Sequence, residues 1–97
     1  MDKSRHIKKE SVLSALENSL GVVTVACKSA DIPRSTYYKW LKGDEEFAAK
    51  VKDIENIALD FGESQLHKQI GEGSTAATIF FLKTKGKRRG YIERSEL

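Results

Sequence analysis

Apolar side chains recur every three or four positions along most of this chain, which is the period of an α-helix. We expect a first helix over residues 9–20, packed across the segment that follows to complete a three-helix core. The charged residues 1–9 are expected to be frayed. One face of the first helix carries four apolar side chains: Val12, Leu13, Leu16 and Leu20.

Residues 21–43 predict two short helices joined by a tight turn. Thr24 can cap the first of them, because its hydroxyl can accept an unpaired backbone N–H. Asp31 tolerates the positive φ that such a turn favours, and Ile32 should then turn inward. Pro33 suits the start of the second helix, where its missing N–H costs little. Close crossing of helices needs small apolar residues, and the first short helix supplies Val25, Ala26, Cys27 and Ala30.

The second short helix, which should end at Gly43, has an apolar face and a basic face. Tyr37, Trp40 and Leu41 are three or four positions apart and should face the core together. The opposite side carries residue types that bond phosphates and base edges, although such a face is often only the solvated side of a helical hairpin. The candidate DNA-binding residues of this region are Thr24, Arg34, Ser35, Thr36, Tyr38, Lys39 and Lys42.

A long helix is predicted after Gly43, with Asp44 as its N-cap and two glutamates near the positive end of its dipole. It should reach about Ile70, and about 26 residues of helix would be roughly 40 Å long. Gly62 can bend or interrupt this helix. Two apolar stripes follow its surface, one of Phe47, Val51, Ile54, Ala58 and Phe61 and the other of Leu59, Leu66 and Ile70.

A shorter C-terminal helix is predicted over TAATIFFLKTK, after the break at residues 71–73 and a cap at Ser74 or Thr75. The apolar run 79–82 also fits a short β-strand, but the paired alanines and the cap favour a helix. A helix with apolar side chains on every face has to be buried on several sides. We expect another subunit to bury part of this surface; alternatively, the last helix packs against both stripes of the long helix within one chain.

A second basic cluster follows, punctuated by Gly86 and Gly90, which predict a flexible loop. Dense lysines and arginines favour phosphate contact because they release counterions. The acidic face of a partner protein is an alternative target, and a purely solvated tail is another. The cluster holds Lys83 and the further DNA-binding candidates Lys85, Lys87, Arg88 and Arg89.

Composition narrows the class of protein. The 97 residues are 39% hydrophobic and carry a net charge of +3, which suits one small domain with a modest core. The single cysteine excludes an internal disulfide and fits a reducing compartment. The sequence contains no apolar run that could span a membrane, no signal-peptide pattern and no metal-ligand spacing. We therefore expect a cytoplasmic protein without enzymatic activity, cofactor or metal.

Four segments together are similar to one family: Thr24–Ala30, Ile32–Phe47, Ala58–Leu66 and, most specifically, Thr75–Arg94. Over residues 11–94 the chain resembles small terminase subunits and related helix-turn-helix proteins of tailed phages and prophages. The resemblance implies an all-α fold, with an N-terminal three-helix helix-turn-helix core followed by a long helix and a shorter C-terminal helix for oligomerisation. The corresponding segments are a DNA-binding region at 1–43, an oligomerisation region at 44–85 and a basic tail at 86–97, within one compact domain.

The resemblance also implies a function. Such a protein binds double-stranded DNA as a homo-oligomer in the cytoplasm of the bacterial host cell and recognises viral DNA for packaging. A terminase large subunit would be its partner and would supply the ATPase and nuclease activities. Two alternatives stay open: a transposase-like or transcription-regulatory helix-turn-helix protein, and an oligomeric adaptor that does not bind DNA.

Overall fold

The computed structural model describes residues 3–92, and this part of the chain contains helices and no β-strand. The predicted all-α fold class is therefore confirmed, and the run at 79–82 is helical. The helices are α1 (Lys3–Asn18), α2 (Val23–Ala30), α3 (Arg34–Gly43), α4 (Glu45–Gly71) and α5 (Thr75–Lys85), followed by a 3₁₀ turn at Lys87–Arg89.

The chain divides into two compact units, Met1–Asp60 and Phe61–Leu97, called here unit 1 and unit 2. The division falls within α4. The segments 1–43, 44–85 and 86–97 inferred from sequence stay predictions about local roles.

The core of unit 1 is formed where α1, α2, α3 and the start of α4 meet. Tyr37 is its largest fully buried side chain, and its ring packs edge-on against Phe47 at 5.7 Å between centroids. Trp40 packs against Phe47 in the same way, also at 5.7 Å. Burying side chains of this size is worth about 1.5–3 kcal/mol each. The buried core residues are Val12, Leu16, Ala26, Cys27, Ile32, Tyr37, Phe47 and Val51.

Helix α1 differs from its prediction at both ends. Residues 3–9 are helical rather than frayed. The Nε2 of His6 lies 3.3 Å from a carboxylate oxygen of Glu10, one helical turn further along, and Lys9 forms an ion pair with Asp44. Residues 1 and 2 of the predicted frayed segment lie outside the described residues. Leu20 does not extend the apolar face, because the helix ends at Asn18 and Leu20 has a φ of 58° and is half exposed.

The predicted cap at Thr24 is wrong. Helix α2 begins at Val23, so Thr24 lies in its first turn, and no side chain caps the helix. The chain reverses before α2 through Ser19, whose hydroxyl oxygen accepts the N–H of Val22 at 3.2 Å. Val25 is also half exposed rather than packed between helices, because α2 buries the adjacent positions Ala26 and Cys27.

The predicted N-cap of α4 is confirmed: one carboxylate oxygen of Asp44 accepts the N–H groups of Glu46 and Phe47, both at 3.1 Å. The helix continues without a break through Gly62. Of the apolar stripe that begins at Phe47, only Phe47 and Val51 are fully buried. Phe61 is 49% exposed and Leu59 is 64% exposed, because the core of unit 1 takes only the first turns of α4.

In unit 2, Ser74 caps α5, and its hydroxyl oxygen accepts the N–H of Ala77 at 3.1 Å. The segment after α5, for which a flexible loop was predicted, forms the 3₁₀ turn. Gly86 is buried there, and a Cβ at this position would lie 2.6 Å from the carbonyl oxygen of Leu82. Gly90 ends the turn with a φ of 95°, which favours glycine. Residues 93–97 of the predicted tail lie outside the described part of the chain.

No helix within residues 3–92 has the length and apolar character needed to cross a bilayer.

Candidate nucleic-acid interface

The turn between α2 and α3 has a defined backbone geometry. Asp31 adopts the predicted left-handed conformation, with φ 59° and ψ 50°. Its N–H bonds the carbonyl of Lys28 at 3.3 Å, and the N–H of Ile32 bonds that of Cys27 at 3.0 Å. These two bonds form a Schellman motif, which satisfies carbonyls at the end of α2. Ile32 is then carried into the core, as expected, with 7% of its surface exposed.

Pro33 occupies the cap position of α3, one residue earlier than the first helical position. Its φ of −67° and ψ of 149° are extended, and its carbonyl accepts the N–H groups of Thr36 and Tyr37 at 3.1 and 3.3 Å. A proline at this point restricts the backbone before the helix begins. Three consecutive residues therefore set the position of α3 relative to α2. They are Asp31 in the left-handed conformation, Ile32 buried in the core and Pro33 in the extended conformation.

The burial of α3 confirms its predicted orientation. Tyr37 is 1% exposed, while Trp40 and Leu41 are half-buried against the same core. Thr36 is also half-buried. Contact of the opposite face with DNA stays a prediction, but its side chains are all available to solvent: Arg34, Ser35, Tyr38, Lys39 and Lys42. Thr24 on α2 is exposed as well.

Arg34 and Tyr38 form a pair on the exposed face of α3. An Nη of Arg34 donates to the hydroxyl oxygen of Tyr38 at 3.5 Å, and the guanidinium lies 5.7 Å from the centre of the Tyr38 ring. This hydrogen bond is the main reason that the pKa of Arg34 is raised above its ordinary value. Tyr38 in turn packs edge-on against buried Tyr37 at 5.1 Å. The core therefore supports the ring that orients the guanidinium.

A cleft of about 390 Å³ lies between the N-terminal half of α1 and α3. None of the candidate residues predicted from the sequence lies on α1, yet α1 contributes Arg5 and Lys9 to this cleft beside Lys39 of α3. Their four-residue spacing, which puts both on one helix face, is the signal in the sequence that could have identified them. The remaining lining residues are Thr36, Trp40, Gly43 and Asp44.

Unit 2 carries its own basic surface. The side chains of Lys85, Lys87, Arg88 and Arg89 are exposed, as is Lys83. A second cleft of about 550 Å³ combines lysines with apolar groups, because it is lined by Phe80, Lys83, Thr84, Lys87 and Ile92. The Thr84 hydroxyl donates to the carbonyl of Phe80 at 2.9 Å. This surface offers positive charge next to exposed apolar area, a combination that suits either phosphate or an acidic protein segment.

Between residues 3 and 92, no three His, Cys, Asp or Glu side chains come together at metal-binding distance. Burial raises the pKa of the Cys27 thiol, which is 2% exposed and therefore stays protonated and poorly nucleophilic.

Comparison with known proteins finds no relative for this chain. No family model matches it, and neither a curated protein nor a solved structure does. The resemblance to terminase small subunits therefore stays a prediction from the sequence segments named above.

Proposed function

We propose that this protein is a non-enzymatic DNA-binding protein in which α2 and α3 form a helix-turn-helix and α3 is the recognition helix. The observation that carries this proposal is the division of α3 into a buried aromatic face at Tyr37 and an exposed face with Arg34, Tyr38, Lys39 and Lys42. The major groove is about 12 Å wide and admits an α-helix. A short helix with one exposed basic face is suited to that groove.

The exposed side chains differ in what they can recognise. The guanidinium of Arg34 can donate two hydrogen bonds to the O6 and N7 of a guanine. Its partner Tyr38 restricts the side chain before binding, which reduces the entropy lost when the guanine is bound. Ser35 and Lys42 can bond phosphates, and such contacts set the register of a protein on the duplex without reading the sequence.

The narrower proposal is a terminase small-subunit-type protein of a phage or prophage, which recognises viral DNA for packaging in the bacterial cytoplasm. The segments similar to that family support it, and they imply a terminase large subunit as the partner. Assembly into a homo-oligomer is supported by exposed apolar side chains in unit 2, including Ile79 and Phe80. An oligomer would present several copies of α3 together and raise avidity for DNA.

The test is a DNA-binding titration by fluorescence anisotropy at several salt concentrations, with viral packaging-site, promoter and transposon-end duplexes. Arg34→Ala should weaken binding to the preferred duplex by about 1–3 kcal/mol, because the variant cannot hydrogen-bond the base. Lys52→Ala is the matched control, since it removes one exposed positive charge from α4.

Preference for the packaging site supports the terminase-type role, whereas preference for a promoter or transposon end favours the regulatory or transposase-like alternative. A wild-type protein that binds none of these duplexes at any salt concentration would instead be the adaptor. Equal reductions of affinity in Arg34→Ala and Lys52→Ala would contradict base recognition by Arg34.

A further inference from the structure

We infer that the cleft between α1 and α3 is a phosphate site, in which Arg5 and Lys39 hold a phosphate of the DNA backbone beside the recognition face. This inference rests on the proposed function and adds α1 to the DNA-binding surface. It also assigns Lys39 and Thr36 to the DNA backbone rather than to the bases.

The charge of the cleft favours an anion. Three cationic side chains line it, from Arg5, Lys9 and Lys39, against the single carboxylate of Asp44. That carboxylate is already engaged by Lys9 and by two backbone N–H groups. Within residues 3–92, the ion pairs involve neither Arg5 nor Lys39. Two positive charges are therefore left to attract an anion into the cleft.

The floor of the cleft is built from three helices that are tied together. The ammonium of Lys9 on α1 lies 2.7 Å from Asp44 at the start of α4 and 5.4 Å from the ring centre of Trp40 on α3. Lys9 is thus a positioning residue, and it links α1 to α3 and to the start of α4 beside the cleft. A site that is formed before binding loses less entropy when its ligand enters.

The cleft also offers a neutral donor and free space. Thr36 lines it, and a threonine hydroxyl can donate to a phosphate oxygen. Gly43 lines it without a side chain, and a Cβ at that position would meet no atom within 4 Å. A side chain introduced at Gly43 would therefore begin in open space at the lining of the cleft and would not displace the protein.

The assignment separates two kinds of DNA recognition on one helix. Lys39 is exposed like Arg34 and Tyr38, but it lines the cleft shared with α1 together with Thr36, and Arg34 and Tyr38 do not. Removing a group that binds phosphate weakens binding to every sequence about equally and reduces the salt dependence. Removing a group that binds a base edge changes the preference among sequences.

The experiment measures the affinity of the full chain for its preferred duplex and for a scrambled duplex between 50 and 200 mM salt, roughly the range over which phosphate binding is resolved. Arg5→Gln and Lys39→Gln should each weaken binding to both duplexes by the same factor and reduce the slope of log affinity against log salt by about 1. Lys8→Gln is the control, because Lys8 is exposed on α1 but does not line the cleft.

A second pair of variants tests the space itself. Gly43→Glu should abolish most of the binding to both duplexes by placing a carboxylate in the cleft, whereas Gly43→Gln, of equal size, should reduce affinity less. Circular dichroism melting of each variant verifies folding. The emission of Trp40, the single tryptophan, gives a direct readout, since DNA that enters the cleft should change it in the wild type and less in Arg5→Gln.

The inference alone fails if the wild type binds DNA and Arg34→Ala alters its sequence preference, while Arg5→Gln behaves like Lys8→Gln. It also fails if Gly43→Glu and Gly43→Gln reduce affinity equally. A wild type that binds neither duplex overturns the proposed function together with the inference.

Discussion

The ammonium of Lys9 lies 2.7 Å from a carboxylate oxygen of Asp44, although the two residues are 35 positions apart in the chain. The other carboxylate oxygen caps α4 through Glu46 and Phe47. The side chain of Asp44 therefore caps the start of α4 and also binds α1. This ion pair ties the charged N-terminal segment, in which none of residues 3–9 is buried, to the start of α4.

Replacing Lys9 by Met should lower the melting temperature, and so should Asp44→Asn, which keeps a good N-cap residue but removes the charge. Because both variants break the same ion pair, the double variant should lose less stability than the sum of the single losses. Thermal unfolding of the four proteins completes this cycle. Strictly additive losses of stability would contradict an energetic coupling between Lys9 and Asp44.

Low pH should remove the stabilisation that the Asp44 carboxylate provides. The pKa of Asp44 lies below its ordinary value of 3.8, first because Lys9 donates a hydrogen bond to it and next because the Phe47 N–H does. The stabilisation is present above the ordinary pKa and is lost as the pH falls through the lowered one. Urea unfolding at several pH values should therefore show the advantage of the wild type over Asp44→Asn shrinking below about pH 4. A difference in the free energy of unfolding that does not change with pH would contradict a stabilising role for the Asp44 carboxylate.

Tyr37 should ionise late and govern alkaline unfolding. Burial, and next the Glu55 carboxylate, raise its pKa to about 12. Its contribution to stability is complete below its ordinary pKa of 10.0 and is lost as the pH rises through about 12. Ultraviolet titration should show a phenolate step near pH 12, and Tyr37→Phe should remove that step. A titration without a step near pH 12 would contradict the burial of this ring.

Truncation of the same side chain tests its packing. Tyr37→Ala should destabilise unit 1 by about 3–5 kcal/mol, as deletion of a buried aromatic ring usually does. Trp40→Ala should cost less, because Trp40 is only half-buried. Denaturant unfolding of both variants gives the comparison, and a larger destabilisation by Trp40→Ala would mean that the core is centred elsewhere.

The basic surface of unit 2 is expected to bind phosphate without reading sequence. Gln substitutions at Lys87, Arg88 and Arg89 should weaken binding to all duplexes alike and reduce the salt slope by about 0.9 for each phosphate that is no longer neutralised. The measurement is the same anisotropy titration. A slope that does not change would assign this surface to an acidic protein partner or to solubility.

Self-assembly is expected through unit 2. Among its described residues, Ala77 is the only buried apolar side chain, whereas Phe80 and Ile92 are 56% and 58% exposed. Phe80→Ser should therefore shift the protein toward smaller species in light scattering coupled to size exclusion. Ile7→Ser is the control, since Ile7 is 63% exposed on α1. A wild type that is monomeric at every concentration would remove the support for an oligomer.

The sequence alone determined the features that depend on neighbouring residues. The caps at Asp44 and Ser74 follow from side chains that bond backbone groups two or three positions ahead. The left-handed Asp31 follows from the turn it occupies, and the orientation of α3 follows from the helical spacing of Tyr37 and Trp40. Such interactions are set within about one helical turn, so residue types predicted them at these positions, although not at Thr24, where no side chain caps α2.

The tertiary structure decided what depends on interactions between distant residues. The helical state of residues 3–9, and the position of Arg5 beside Lys39, require α1 to pack at the junction of α3 and α4. The exposure of Leu59 and Phe61 depends on where the core of unit 1 ends, which helical periodicity does not specify. Periodicity tells which side chains share a face of a helix, but only the packing of helices that are far apart in sequence determines which faces become buried.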